Sequence, residues 1–130
     1  MHPSPTPVSR LAAPYIEGLR QGVLRYQQCT GCGGAQTLAR YACQHCGATT
    51  LAWRDAGGLG TVQAATVVAR APSDDFRPLA PYTLVLVLLD EGARLMAHAQ
   101  PDVGIGDRVQ ATFFEHLGQP LVRFGALAQP

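Results

Sequence analysis

Lysine is absent from this chain; all ten basic residues are arginine. The absence removes the usual Schiff-base amine and the flexible ammonium that often meets phosphate. Excess charge is missing as well. Ten basic residues balance nine acidic ones, for a net charge of +1, so composition does not supply the basic patch of a nucleic-acid binder. A bilayer-spanning helix needs roughly 20 apolar residues, and the longest mainly apolar run is only Tyr82 to Leu89. The start, Met1-His2-Pro3-Ser4-Pro5-Thr6-Pro7, lacks the apolar segment of a secretory signal. A cytoplasmic chain with no membrane partner is expected. Serine is scarce beyond the N-terminus: Ser9 and Ser73 lie in proline-containing loops, without a glycine-flanked nucleophile turn. The 47% hydrophobic content is that of a globular protein.

Cysteine is limited to four residues, and all four are paired in sequence: Cys29-x2-Cys32 and Cys43-x2-Cys46, ten residues apart. Two such pairs complete a tetrahedral thiolate shell, the usual protein environment of structural zinc. Gly33 and Gly47 follow the pairs. They allow a turn with positive φ that aims backbone N–H groups at the sulfurs. Two disulfides are the alternative, and they require an oxidising compartment. Iron fits the same geometry. Zinc is favoured because nothing else in the chain suggests electron transfer. Four thiolates leave no open position, so the site reads as structural. His45 is read as a solvent-side residue at the knuckle tip, not a fifth ligand. Arg25, Arg40 and Arg54 are near enough in sequence to offset the −2 shell, or are simply solvated.

Residues 1–13 are proline-rich and read as a flexible tail. Pro14, Tyr15, Ile16, Leu19 and Val23 suggest a short amphipathic helix over 14–22, weakened by Gly18 and Gly22. It either packs into the core or docks on the ribbon or a partner. Strands are expected at Leu24 to Gln28, Thr37 to Tyr41, and Leu51 to Ala56, giving a ribbon whose folding depends on the metal. After Gly57-Gly58-Leu59-Gly60, strands are expected at Thr61 to Arg70, Tyr82 to Leu89, Arg94 to Ala99, Arg108 to Glu115, and Leu121 to Phe124. The Tyr82 strand reads as buried on both faces. Gly118-Gln119-Pro120 joins the last two strands. Five short strands without long helices suggest a closed barrel. The organisation is therefore a tail (1–13), a helix with a zinc ribbon (14–56), and a barrel (57–130).

Several motifs in order carry a resemblance: Tyr15-Ile16-Glu17-Gly18-Leu19-Arg20-Gln21-Gly22, the two cysteine knuckles, Trp53, and Gly60-Thr61-Val62. Pro81-Tyr82, Leu89-Asp90-Glu91-Gly92 and Ile105-Gly106-Asp107-Arg108-Val109 follow. The chain resembles the zinc-ribbon plus OB-fold, acyl-CoA-associated proteins long classed as a domain of unknown function. The resemblance runs from about Tyr15 to Phe124. It implies a mainly β fold: an N-terminal helix, a rubredoxin-like zinc ribbon, and a five-stranded OB-fold barrel. It also implies one structural zinc and an accessory or scaffold role without catalysis on this chain. Expected partners are thiolase-like enzymes, ketoacyl synthases, acyltransferases or related acyl-CoA enzymes in a hetero-oligomer.

His98 and His116 lie on or beside strands and read as surface or edge residues, with a general-base role as the alternative. Asp74-Asp75 reads as solvated loop charge rather than a cation site. Gly57-Gly58-x-Gly60 lacks the helix and lysine of a phosphate loop. Arg70 and Arg77 flank a loop holding Phe76; the arginine forks suit CoA phosphates and the ring suits adenine. The competing function is a single-stranded nucleic-acid module, since zinc ribbons and OB barrels both serve there.

Overall fold

The computed structural model describes residues 11–37, 39–71, 74 and 76–127. The tail over 1–10, Ser9, Ser73 and Asp75 therefore lie outside the described residues.

Helix α1 spans Ala13–Arg20, with Pro14 in its first turn, where proline's missing N–H is harmless. It ends earlier than the expected 14–22 because Gly22 adopts φ 75° and turns the chain into the ribbon. Leu19 is buried in the hydrophobic core. Gly18 lies so close to the following segment that an added Cβ would sit 2.8 Å from the Val23 carbonyl oxygen. Of the two roles considered for the helix, packing into the core is the one seen for Leu19.

The ribbon sheet has β1 (Leu24–Cys29) in the centre, β2 (Ala35–Gln36) on one side and β3 (Leu51–Ala56) on the other, all antiparallel. The described residues of the strand expected over Thr37 to Tyr41 form no strand. Its backbone bonds to a side chain instead: the Arg40 N–H donates to Gln27 Oε1, and Gln27 Nε2 donates to the Arg40 carbonyl. Gln27 and Gln36 are both buried, and Gln36 Nε2 donates to Gln27 Oε1 at 2.8 Å. Gln36 Oε1 accepts the Gln44 N–H. The two amides thus replace a strand ladder and satisfy each other, as buried polar groups must.

The barrel is closed in the order β4-β5-β6-β8-β7, with β4 at Leu59–Val68, β5 at Tyr82–Leu89, β6 at Arg94–Ala99, β7 at Arg108–His116 and β8 at Gln119–Ala126. Neighbouring strands are antiparallel except β6 and β8, which pair in parallel through His98–Arg123 and Ala99–Phe124. The fold is mainly β: one N-terminal helix, the zinc-ribbon region, then a five-stranded OB-fold barrel. Strand β5 differs from expectation. Thr83, Val85, Val87 and Leu89 are buried, whereas the alternate residues are only half-buried. A closed barrel packs one face of each strand inward, so the period is two. Gln119 and Pro120 belong to β8; Leu117 and Gly118, both at positive φ, make the tight turn.

Strand β4 pairs with β7 only through Leu59 to Thr61, and with β5 along most of its length. Residues 63–67 are exposed in succession, so alternation lapses where the arm leaves the barrel. Ribbon and barrel share one core: Leu19, Leu24 and Tyr26 cluster with Val62, Val85, Val109 and Phe124. Two polar ties cross the same junction. The Thr37 hydroxyl donates to the Arg94 carbonyl, and the Gly57 N–H donates to Glu91 Oε2 at 2.9 Å.

Candidate metal centre and barrel face

The two knuckles fold alike because they share the sequence C-x-x-C-G-x. In the first, the Cys29 N–H donates to the Gly34 carbonyl, and the Gly33 N–H to the Cys29 carbonyl. In the second, Cys43 bonds Ala48, and Gly47 bonds Cys43, in the same pattern. Gly33 and Gly47 both sit at φ 80°. Their own N–H groups close the turns rather than reaching sulfur. The sulfurs instead accept from other amides: Cys29 Sγ from Cys32, Cys32 Sγ from Gly34, and Cys43 Sγ from His45.

The four sulfurs all lie within 4.8 Å of one another. Cys29–Cys46 and Cys32–Cys43 are each 3.6 Å apart, too far for S–S bonds. Electrostatics show why a cation belongs there. The Cys32 N–H draws the Cys29 thiol down to about 6. Cys46 goes the other way, up to about 12: although the Ala48 N–H favours its thiolate, the sulfurs of Cys29, Cys32 and Cys43 oppose a further negative charge. Four thiolates this close need a divalent ion, and four soft donors in a compact shell suit zinc.

Cys29 and Cys43 are buried, while Cys32 and Cys46 face solvent. His45 is exposed, its Nε2 lies 3.4 Å from the Ala35 carbonyl, and its ring lies against Gly34, where a Cβ would come within 2.5 Å of Cδ2. It therefore links the two knuckles from outside the sulfur cluster. Arg25 is committed elsewhere, to Asp55 at 3.1 Å and to the Pro14 carbonyl.

A second concentration of chemistry lies on the outer barrel face. Phe76 packs against Tyr82, His98 and His116, with ring centroids 6.4, 5.8 and 5.3 Å away. Tyr82 and His98 are 5.0 Å apart, and Phe114 meets His98 edge-on. The Arg123 guanidinium lies 4.2 Å over the Phe114 ring. These side chains come from four strands and one loop, and the sequence reading did not bring them together. The available signal was alternation: Tyr82, His98, Phe114, His116 and Arg123 each occupy an outward position on their strands.

Arg70 and Arg77 line one cleft of about 500 Å³ with Ala69, Ala71 and Ala80. Arg77 also pairs with Asp74 at 2.6 Å, both side chains being exposed. Phe76, next in sequence, turns into the aromatic cluster.

Against this geometry, comparison with known proteins is specific. Residues 17–52 match the rubredoxin-like zinc ribbon domain of ChsH2, and residues 53–114 match the ChsH2 C-terminal OB-fold domain. A DUF35 domain-containing scaffold protein of Methanothermobacter thermautotrophicus is 32% identical over 91 residues, covering 66% of this chain and 68% of that protein. The chain belongs to the DUF35 family. The solved structure of an Ltp2-ChsH2(DUF35) aldolase is similar to this DUF35 chain with a TM-score of 0.76 and 27% identity, covering 96% of this chain and 98% of that one. A DUF35 protein of unknown function from Sulfolobus solfataricus shares the fold, with a TM-score of 0.65 at 20% identity over 90% of this chain and 85% of that one.

The zinc-ribbon match and the four-sulfur cluster give this DUF35 chain one structural zinc. One expectation is corrected. The chain was expected to be no enzyme, with catalysis assigned to a partner; the similar Ltp2-ChsH2(DUF35) structure is an aldolase, so this fold occurs within a catalytic assembly. Among the described residues no helix is long and apolar enough to cross a membrane.

Proposed function

We propose that this DUF35 chain is a scaffold subunit of an enzyme complex acting on acyl-CoA or a related thioester. The partner subunit is of the thiolase-like, ketoacyl synthase or acyltransferase type, in a hetero-oligomer. The similarity to the Ltp2-ChsH2(DUF35) aldolase over nearly the whole of both chains carries this reading. The relationship to a DUF35 scaffold protein supports it.

In this proposal Cys29, Cys32, Cys43 and Cys46 hold the zinc, which fixes the ribbon. Arg70 and Arg77 are the candidate CoA phosphate contacts, with Phe76 as the neighbouring aromatic. An exposed pair such as Arg77–Asp74 contributes only about 0–1 kcal/mol, so a phosphate can displace Asp74. The test is co-expression with the product of a neighbouring thiolase-like gene, followed by size-exclusion chromatography and activity assay. Co-elution with a gain in partner activity or solubility is expected. A partner that is fully active and soluble alone, and never co-elutes, would overturn the proposal.

A further inference from the structure

Beyond Val62, strand β4 has a strand neighbour on one side only. Its pairing with β7 stops at Thr61, and Val62 closes that side by exchanging backbone bonds with Asp107 and Gly106. A register shift follows between Val62 and Ala64, after which β4 runs on beside β5 to Val68. Among the described residues, no backbone hydrogen bond reaches the other side of β4 over 63–68. Residues 63–67 are all exposed, so this stretch of strand is uncovered.

The ladder fixes which backbone groups face outward. Leu89 turns its N–H and carbonyl toward β6, where they meet Ala93 and Gly92. Alternation along β5 then turns Leu86 and Leu84 toward β4, where they oppose Ala64 and Thr66. Ala65 and Val67 alternate with these residues and aim their N–H and C=O groups away from β5. Such an edge is a template for another strand, and proteins commonly guard it with lysine, other charges or proline. None of these occurs from Leu59 to Ala69.

We propose that this edge pairs, antiparallel, with the same edge of a second copy of the chain, with the two-fold axis at Thr66. The occupant follows from the pattern of groups. In that register Ala65 of each copy opposes Val67 of the other, and each such pair exchanges both N–H···O bonds. Thr66 meets its own counterpart at the non-hydrogen-bonded position between them, where threonine pairs are favourable. A two-fold contact sets the strand against itself, and the uncharged stretch brings no like charges together. Charge enters only at the ends. Arg70 of one copy falls opposite Val62 of the other, and so arrives at the turn that carries the exposed Asp107. Symmetry repeats this opposite-charge pair, which favours the register. Two barrels are thereby joined through one continuous sheet. The inference does not depend on the acyl-CoA reading.

The experiment measures self-association of the intact zinc-loaded chain by sedimentation velocity over a range of concentrations. A monomer–dimer equilibrium is expected. Thr66→Glu places like charges directly opposite each other across the axis and should leave only monomer. The Thr66 side chain is exposed, so the monomer fold is retained; zinc content and dispersed amide spectra confirm it. Cysteine cross-linking reads the register. Thr66→Cys puts two thiols on Cα atoms about 4.5 Å apart and should give a covalent dimer with oxidised glutathione. Ala64→Cys puts them roughly 14 Å apart, beyond disulfide reach, and should not. An unmodified chain that stays monomeric at every concentration overturns the proposal. So does a dimer that survives in folded Thr66→Glu, or cross-linking as efficient through Ala64→Cys as through Thr66→Cys. If the chain alone is monomeric and Thr66→Glu instead abolishes co-elution with a thiolase-like subunit, the edge belongs to that subunit and self-pairing is overturned.

Discussion

Single residues hold this molecule to narrow tolerances where two strands pass close together. Gly60 begins the barrel and lies against β5: an added Cβ would sit 2.5 Å from Val87 Cγ1 and 2.7 Å from the Leu88 carbonyl oxygen. The obstruction is partly backbone, which cannot rotate away. Gly60→Ala should therefore destabilise the chain by about 1–3 kcal/mol, the usual range for overpacking; the midpoint of a urea melt measures it. Tyr15 is constrained by burial rather than contact. Its hydroxyl is pushed up to about 12 by desolvation, against an ordinary value of 10.0. A folded pKa above the unfolded one gives stability that is complete below the unfolded value and is lost as pH rises through the folded one. Between pH 10 and 12 the unfolded chain ionises first, so stability should fall across that window. Tyr15→Phe should remove that part of the alkaline loss, as read from denaturant midpoints at successive pH values. Neither constraint was visible in sequence. The motif Gly60-Thr61-Val62 marked the glycine, but only the crossing strand explains why no side chain fits.

At the scale of elements, the sequence was most legible where neighbours along the chain decide structure. β3, β5 and β6 occupy the expected spans and β1 runs one residue longer, because the alternation from Leu24 to Gln28, the continuous apolar run of β5 and the Asp90-Glu91-Gly92-Ala93 turn are local signals. The strand expected over Thr37 to Tyr41 failed for a non-local reason: Gln27, on another strand, takes the Arg40 backbone. Buried glutamines give no periodic signal, since polar side chains in a short strand suggest solvent. A similar non-local tie joins β7 to the β5–β6 turn. Arg108 grips Asp90 through both terminal nitrogens, at 2.7 and 2.9 Å, and also donates to Thr61. The Arg108 hydrogen bond holds the Asp90 carboxyl below the usual carboxylate range. A depressed folded pKa gives stability that is present above the unfolded value and is lost as pH falls through the folded one. Asp90→Asn should therefore flatten the acid limb of the stability–pH curve, by a small amount because both groups are exposed. Melting temperatures compared between neutral pH and pH 3 check this.

The whole molecule depends on the metal more widely than the ribbon's size suggests. Structural zinc contributes on the order of 10–16 kcal/mol to small zinc domains, comparable to the full net stability of a typical domain. Ribbon and barrel share a core through Leu24 and Tyr26. Stripping zinc with a chelator should thus unfold the ribbon and also lower the barrel's melting temperature. Circular dichroism distinguishes the outcomes: an unchanged upper transition would mean the barrel stands alone. The sequence by itself marked a four-cysteine cluster, because Cys29-x2-Cys32 and Cys43-x2-Cys46 are two short pairs with no cysteine left over; the 3.6 Å sulfur separations then set aside disulfides, and the zinc-ribbon match favours zinc over iron. It also determined most strand positions, which follow from apolar runs, alternation and turn residues along the chain. Tertiary structure decided what barrel closure controls. Closure turned one face of β5 outward, brought His98 beside Arg123 in parallel register, and gathered Phe76, Tyr82, Phe114 and His116 around them. Register between distant strands is set by the closed sheet as a whole, and no short stretch of sequence carries it.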